Sequence, residues 1–189
     1  MIRIGILGDI GSGKSYVAQN FGYPVFNADY EVAKLYQQNK YVFNKLKIKL
    51  PKYIYSFPIE KSEISNAILT NKNNLKKIVK IVHVEIRKKL NNFLNKNKNK
   101  KIVILDIPLL LENKINKRED ILVFVQSKKS SILKNLKKRK NFNLKLFKKF
   151  KAIQLPLSYK KKNSNFIIKN NFTKKSIKDG IKGILREIK

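Results

Sequence analysis

The hydrophobic residues of this chain occur partly in short continuous runs and partly at helical spacing. The continuous runs predict five buried strands, at Ile2–Leu7, Tyr23–Asn27, Ile102–Leu105, Ile121–Val125 and Asn165–Ile168. The helical spacings predict helices at Lys14–Phe21, Tyr30–Leu50, Ser62–Leu94 and Thr173–Ile188, and two helical pieces within Ser130–Phe150 that join near Asn141–Asn143. Continuous apolar strands separated by helices are typical of a parallel sheet covered on both faces. The predicted fold class is therefore α/β, with a five-stranded parallel sheet in three layers.

Two segments do not follow this alternation of strand and helix, at about 30–100 and about 128–160. The first predicts a helical substrate lobe, and the second predicts a basic helical lid. The remaining residues, about 1–29, 101–127 and 161–189, then form the core of a single domain. A chain of 189 residues is long enough to bury such a core.

The composition excludes several classes of protein. The chain has no cysteine, which excludes a disulfide scaffold, cysteine-ligated metal centres and thiol nucleophiles. No apolar run approaches the ~20 residues that a membrane-spanning helix needs. The first residues read as a strand and are too short for a signal peptide. We therefore expect a cytoplasmic protein without a membrane partner.

The formal net charge of +32 raises the possibility of a nucleic-acid partner. However, the basic residues are 39 lysines and only 5 arginines, and they are spread evenly along the chain. A protein that reads base edges favours arginine, because its planar guanidinium pairs bidentately. We expect no specific nucleic-acid partner. An ATP-binding protein associated with nucleic acid remains the less favoured alternative.

A glycine-rich motif follows the first predicted strand. Residues 8–15, Gly-Asp-Ile-Gly-Ser-Gly-Lys-Ser, match the pattern G-x-x-x-x-G-K-[ST], for which this composition gives a chance expectation of about 0.4% over the chain. Glycines allow backbone N–H groups to converge on phosphate oxygens, and the helix that follows adds the positive end of its dipole. Lys14 would reach the β- and γ-phosphates, and the Ser15 hydroxyl would bind Mg²⁺. The motif predicts binding of a nucleoside triphosphate.

Carboxylates at the ends of two predicted strands indicate which kind of phosphate-binding protein this is. Asp106 ends the third strand, where open α/β sheets bind ligands, and would hold Mg²⁺ through water or polarise the acceptor. Asp29 follows the second strand and would accept a proton from an attacking hydroxyl. For both residues the alternative is a helix N-cap. A guanine-reading Asn-Lys-x-Asp motif is absent from the sequence, so we expect a kinase of small molecules or nucleotides.

Two further polar residues are candidates for the site. Glu112 follows the apolar run 108–111 and would line the cleft, with a surface carboxylate as the alternative. His83 is the only histidine and lies between two valines, so it cannot form a metal site alone, and a packed histidine is the alternative to a ligand contact.

Six segments occur in an order and spacing that resemble the dephospho-CoA kinase family. They are residues 5–15, Asn-Ala-Asp at 27–29, Ile-Val-His at 81–83, Asp-Ile-Pro-Leu-Leu-Leu-Glu at 106–112, Gln-Leu-Pro-Leu at 154–157 and Asn-Phe-Ile-Ile-Lys-Asn at 165–170. The resemblance covers nearly the whole chain. It implies transfer of the γ-phosphoryl group of ATP to the 3′-hydroxyl of dephospho-CoA, the last step of coenzyme A biosynthesis. It also implies a monomer or weak homo-oligomer.

The resemblance further implies a set of site residues. The residues implied for ATP are Gly11, Ser12, Gly13, Lys14, Ser15, Tyr16, Arg139 and, near the adenine, Asn170. Those implied for dephospho-CoA are Asp29, His83, Asp106, Pro108, Leu109 and Glu112. Within these sets, Lys14 and Asp29 would be catalytic, and Ser15 and, through water, Asp106 would hold Mg²⁺. The alternative is another small-molecule or nucleotide kinase of the same architecture.

The chain departs from the family pattern at several positions, namely Leu7, Asp9 and Tyr16 around the loop, the missing proline after His83, and Asn135 and Phe150 where the lid often has arginine. Asp9 places a negative charge beside a phosphate site. Four lysines would replace the missing lid charge, Lys134, Lys138, Lys149 and Lys160, though as point charges without bidentate reach. We therefore expect an active but slower enzyme.

Overall fold

The computed structural model describes residues 1–139 and 142–188. The chain divides into two units. The core unit consists of Met1–Asn27, Asn97–Phe142 and Ile153–Lys189, and the helical unit consists of Ala28–Lys96 and Asn143–Ala152.

The core unit contains a sheet of five strands. They are β1 (Ile2–Gly8), β2 (Val25–Asn27), β3 (Ile102–Asp106), β4 (Ile121–Gln126) and β5 (Phe166–Lys169). All four pairings are parallel, and the strand order is β2-β3-β1-β4-β5. The predicted α/β class with a five-stranded parallel sheet is confirmed. Because β1 is central, the loop after it lies at the middle of one sheet edge.

The described residues form nine helices: α1 (Lys14–Asn20), α2 (Ala28–Gln38), α3 (Lys40–Lys49), α4 (Lys61–Thr70), α5 (Lys72–Lys96), α6 (Lys129–Lys137), α7 (Leu144–Ala152), α8 (Leu157–Lys162) and α9 (Lys174–Glu187). In the core unit, α1 and α9 supply apolar side chains to one hydrophobic cluster with the sheet. Val17 of α1 and Ile177 of α9 are fully buried there beside Ile4 and Ile6 of β1. None of the helices in the described ranges is long and apolar enough to cross a membrane.

Two long predicted helices are interrupted in the structure, and asparagine stands at both breaks. The predicted helix Tyr30–Leu50 is divided into α2 and α3 at Asn39, whose side chain accepts a hydrogen bond of 2.9 Å from Val42 N. The predicted helix Ser62–Leu94 is divided into α4 and α5 at the extended Asn71. Asparagine side chains bond to nearby backbone groups and so compete with helix continuation, which explains both differences.

The segment predicted as one lid, 128–160, is distributed between the two units. Helices α6 and α8 belong to the core unit, whereas α7 belongs to the helical unit. Within the helical unit, Lys149 of α7 donates hydrogen bonds to the carbonyl oxygens of Ile68 (2.8 Å) and Leu69 (3.0 Å), near the C-terminus of α4. A lysine suits this place because helix C-termini carry unpaired carbonyls and a partial negative charge. The predicted joint near Asn141–Asn143 lies partly outside the described residues.

Candidate active site

The glycine-rich loop lies between β1 and α1, as the motif requires. Gly11 and Gly13 have φ values of 84° and 90°, in the left-handed region that favours glycine. A Cβ atom on Gly11 would lie 2.9 Å from Leu136 Cγ, and one on Gly13 would strike the side-chain amide of Asn170. Both glycines are therefore required by backbone conformation and by space.

The ammonium group of Lys14 lies along the loop that precedes it. Its Nζ donates hydrogen bonds to the carbonyl oxygens of Asp9 (2.7 Å) and Gly8 (3.3 Å). The cation is thus held beside the loop amides, where it can offer its donors to phosphate oxygens.

Asn170 and Ser127 brace the loop from the neighbouring strands. Asn170 Nδ2 and Ser127 Oγ both donate to the carbonyl oxygen of Ser12, at 2.8 and 3.0 Å. Asn170 is buried, and its Oδ1 accepts a hydrogen bond of 2.7 Å from Phe172 N. Asn170 therefore fixes the loop, while its proximity to adenine stays a prediction.

Asp106, the last residue of β3, joins the loop to a second strand end. Its side chain accepts hydrogen bonds from Ser15 and from Asn27, and the Asn27 Nδ2 to Asp106 Oδ2 distance is 2.6 Å. Asp106 is 3% exposed. Burial raises the pKa of Asp106 above the ordinary aspartate value, and the Ser15 hydrogen bond, the charge of Lys14 and the Asn27 hydrogen bond oppose that rise.

This arrangement fits a magnesium ion. Mg²⁺ prefers oxygen ligands, keeps several waters and is usually held by one or two protein groups together with substrate phosphates. The Ser15 hydroxyl and the Asp106 carboxylate supply such oxygens beside Lys14. The described residues contain no group of three or more His, Cys, Asp or Glu that could hold a metal ion.

Asp9 is the charged residue at which the loop departs from the family pattern, and its side chain bonds to the backbone. Its Oδ1 accepts a hydrogen bond of 2.7 Å from Ile10 N, so one loop amide is directed to protein. Asp9 also lines a cleft of about 240 Å³ together with residues that include Lys129 and Lys161. These contacts explain how the chain accommodates a carboxylate in this loop.

Glu112 and Lys160 form a buried ion pair, which sequence reasoning did not anticipate. Lys160 Nζ lies 2.7 Å from Glu112 Oε1, and the two side chains are 1% and 9% exposed. Lys160 is therefore not the lid cation that the sequence suggested, and Lys149 is bound to α4 carbonyls instead. Lys134, Lys138 and Arg139 are exposed.

The other residues predicted for the core unit are partly or largely accessible. Pro108 and Leu109 are half-buried in the turns that follow β3, and Tyr16 is exposed on α1. Their contacts with ATP and dephospho-CoA stay predictions.

Two predicted acceptor residues lie in the helical unit. Asp29 is exposed in the first turn of α2. His83 is half-buried on α5, and its pKa is lowered by burial and then by the positive charge of Arg87. Both roles stay predictions.

Asn27 is a residue of the site that sequence reasoning left without a role. The only available signal was its place in the segment Asn-Ala-Asp at 27–29, two positions before Asp29. Lys160 gave no signal, since it stands in a run of three lysines.

The site combines a glycine-rich loop, the cation of Lys14 and the buried carboxylate of Asp106 on the neighbouring strand. This combination defines a phosphotransferase of the P-loop class. The family model described as dephospho-CoA kinase matches residues 2–176. The chain belongs to the dephospho-CoA kinase family, so it is a kinase and a transferase.

Individual relatives agree with this assignment. The chain is 30% identical over 187 residues to the dephospho-CoA kinase of a Wolbachia from Brugia malayi, covering 96% of this chain and 95% of the relative. A Thermus thermophilus crystal structure, TT1252, matches with a TM-score of 0.79 and 25% identity over 100% of this chain and 98% of its own. The Campylobacter jejuni dephospho-CoA kinase structure shares the fold, with a TM-score of 0.62 and 21% identity over 98% and 96% of the two chains.

Proposed function

We propose that this chain transfers the γ-phosphoryl group of ATP to the 3′-hydroxyl of dephospho-CoA, which gives coenzyme A and ADP. The transferred group passes through a loose transition state whose charge is spread over its oxygens. The protein therefore contributes mainly by positioning its substrates and by placing positive groups where this charge develops.

The phosphate side of the reaction is assigned to the loop. The amides of residues 11–16 hold the β- and γ-phosphates, and Lys14 exchanges its carbonyl partners for phosphate oxygens. Ser15 and, through water, Asp106 would hold Mg²⁺, which would supply positive charge to the phosphate oxygens of ATP. Arg139 and the exposed lysines Lys134 and Lys138 would assist in excluding water.

The acceptor side is assigned to Asp29 as general base. Its exposed carboxylate at the start of α2 is accessible to a substrate, and α2 begins directly after β2, whose last residue bonds to Asp106. Asp29 would accept the proton of the 3′-hydroxyl as the new P–O bond forms. Pro108, Leu109 and His83 would contact the rest of dephospho-CoA.

One observation supports the proposal above the others. The Ser15 hydroxyl donates a hydrogen bond to the buried carboxylate of Asp106, beside the Lys14 cation at the edge of a parallel sheet. An oxygen pair beside a phosphate-binding lysine is what a Mg²⁺-dependent phosphoryl transfer requires.

The test is an acceptor panel. ADP release by the purified chain is measured with Mg²⁺, ATP and each of dephospho-CoA, AMP, CMP and shikimate, and the product is examined by phosphorus NMR. Saturable ADP release with dephospho-CoA alone, and a new 3′-phosphomonoester, would support the proposal. Saturable release with another acceptor, but not with dephospho-CoA, would assign a different kinase activity and overturn it.

We further propose that the enzyme acts in the cytoplasm as a monomer or weak homo-oligomer, without a specific nucleic-acid partner. The shortage of arginine among its basic residues supports the last point.

A further inference from the structure

The residues that follow β3 form a series of turns with two anchors. Backbone hydrogen bonds join Leu110 N to Ile107 O (3.2 Å) and Ile115 N to Leu110 O (3.0 Å). Leu110 is the first anchor, since it is fully buried and lies against Gly5 of β1, where a Cβ atom would come within 2.5 Å of Leu110 Cδ2. The turns begin at Asp106 and end beside the second anchor, Glu112.

Glu112 connects these turns to the segment that leads into α8. Its Oε1 accepts hydrogen bonds from Lys160 Nζ (2.7 Å) and from Leu155 N (3.0 Å). Lys160 Nζ also lies 3.3 Å from Gln154 Oε1. One carboxylate oxygen therefore fixes both ends of the stretch 155–160 against the turns after β3.

A buried ion pair of this kind is weak evidence for stability. The cost of desolvating two charges often equals their attraction, and apolar replacements of similar volume are frequently tolerated. The directional contacts instead specify geometry, since the carboxylate accepts two donors from different places in the chain. The fixed element here is the turn that carries Pro108 and Leu109 and begins at Asp106.

We propose that Glu112 and Lys160 are positioning residues for the acceptor side of the phosphoryl transfer. Their ion pair holds the far end of the turns 107–112, and so sets the place of Pro108 and Leu109 relative to Asp106. This inference rests on the proposed function, in which that turn meets dephospho-CoA. The phosphate-binding loop has further hydrogen bonds from Asn170 and Ser127, so we expect ATP binding to depend less on the pair than dephospho-CoA binding does.

The test compares three variants with the wild type, namely Glu112→Gln, Lys160→Met and the double variant. Glu112→Gln keeps an oxygen acceptor for Leu155 N but leaves the Lys160 cation without its counter-charge. In the double variant neither charge is buried, so its thermal midpoint should recover relative to Glu112→Gln. Exposed residues supply matched controls with the same charge changes, Glu119→Gln and Lys162→Met.

Initial rates are measured well below each thermal midpoint, with ATP and dephospho-CoA varied in turn. Displacement of a substrate-positioning element can cost up to about a hundredfold in rate, and we expect kcat/KM for dephospho-CoA to fall at least about tenfold in all three variants. The KM for ATP should rise less than the KM for dephospho-CoA, because Asn170 and Ser127 also hold the phosphate-binding loop. The controls should match the wild type.

Two results would overturn the inference. In one, kcat/KM for dephospho-CoA returns to the wild-type value in the double variant together with the thermal midpoint, which would give the pair a purely stabilising role. In the other, the KM for ATP rises as much as that for dephospho-CoA. If the wild type phosphorylates a different acceptor, the proposed function fails, and the same kinetic comparison is made with that acceptor.

Discussion

The side-chain amide of Asn27 donates a hydrogen bond of 2.6 Å to Asp106 Oδ2 across the parallel pair β2–β3. These residues are register partners at the carboxyl ends of the two strands. The bond leaves the Asp106 carboxylate oriented between an amide donor on one strand and the Ser15 hydroxyl of the loop. The pairing of β2 with β3 thus orients the Asp106 carboxylate, which is predicted to hold Mg²⁺ through water.

Replacing Asn27 should weaken catalysis without unfolding the protein. Asn27→Ala removes one donor from a buried carboxylate, and hydrogen bonds to charged groups contribute about 1.5–3 kcal/mol. We expect kcat/KM to fall about tenfold and the Mg²⁺ concentration for half-maximal rate to rise. Steady-state kinetics with varied Mg²⁺ measures both, and Asn66→Ala, an exposed asparagine of α4, is the control. Unchanged Mg²⁺ dependence and rate in N27A would contradict this role.

Asp9 should reduce affinity for ATP. Asp9→Asn removes a negative charge from the phosphate-binding loop and keeps an oxygen that can accept the Ile10 N–H bond. Partly screened charge repulsion suggests that the KM for ATP falls about two- to fivefold. Asp179→Asn, on the exposed face of α9, changes the net charge equally and should leave that KM unaltered. A KM that rises in D9N would show that the carboxylate aids nucleotide binding.

The single histidine allows a direct titration. Burial and Arg87 lower the pKa of His83 below its ordinary value near 6.5, so the proton resonances of its ring should titrate below that pH. Arg87→Gln should move the pKa upward, whereas Arg186→Gln, on α9, should not.

The unfolded chain takes up this proton near pH 6.5 and the folded chain only at lower pH. His83 therefore lowers stability as the pH falls below 6.5, until the folded histidine is also protonated. A pKa above 6.5 would contradict this environment.

Two glycines of α9 differ in the space that surrounds a side chain added at each position. A Cβ on Gly183 meets nothing within 4 Å, whereas one on Gly180 lies 3.2 Å from Ile168 Cγ1 and Cγ2. Gly183→Ala should raise the free energy of unfolding by about 0.5–1 kcal/mol, because alanine restricts the unfolded chain and suits a helix. Gly180→Ala should gain less, since buried Ile168 must shift. Chemical denaturation measures both. An equal gain at both positions would show that Ile168 yields without cost.

The sequence predicted those parts of the fold and site that depend on neighbouring residues. The loop at 8–15 and the strand that ends at Asp106 each carry a local pattern, so the phosphate-binding loop and a carboxylate at the carboxyl edge of a parallel sheet were predicted. The order of the strands was not. The breaks at Asn39 and Asn71 were missed because the apolar spacing continues across them. Only the side-chain contacts show that each asparagine bonds to the backbone.

The contacts between distant segments were not predictable. Asn27 and Asp106 are 79 residues apart, and no local pattern links an amide on one strand to a carboxylate on another. Lys160 is one of 39 lysines, so its burial against Glu112 left no trace in composition or spacing. The role of such a polar residue depends on the residue that it contacts, and only the folded structure shows which residue that is.

The most direct measurement of the central claim is the turnover of Asp29→Asn with dephospho-CoA and Mg·ATP, beside equilibrium binding of ATP. Removal of a general base typically costs about 10²- to 10⁴-fold, so we expect kcat to fall at least about a hundredfold while ATP affinity stays within about twofold. Glu31→Gln, in the same turn of α2 and paired with Lys89, should retain most activity. Turnover in D29N equal to that of the wild type would contradict the account, because the acceptor hydroxyl would then lose its proton without this carboxylate.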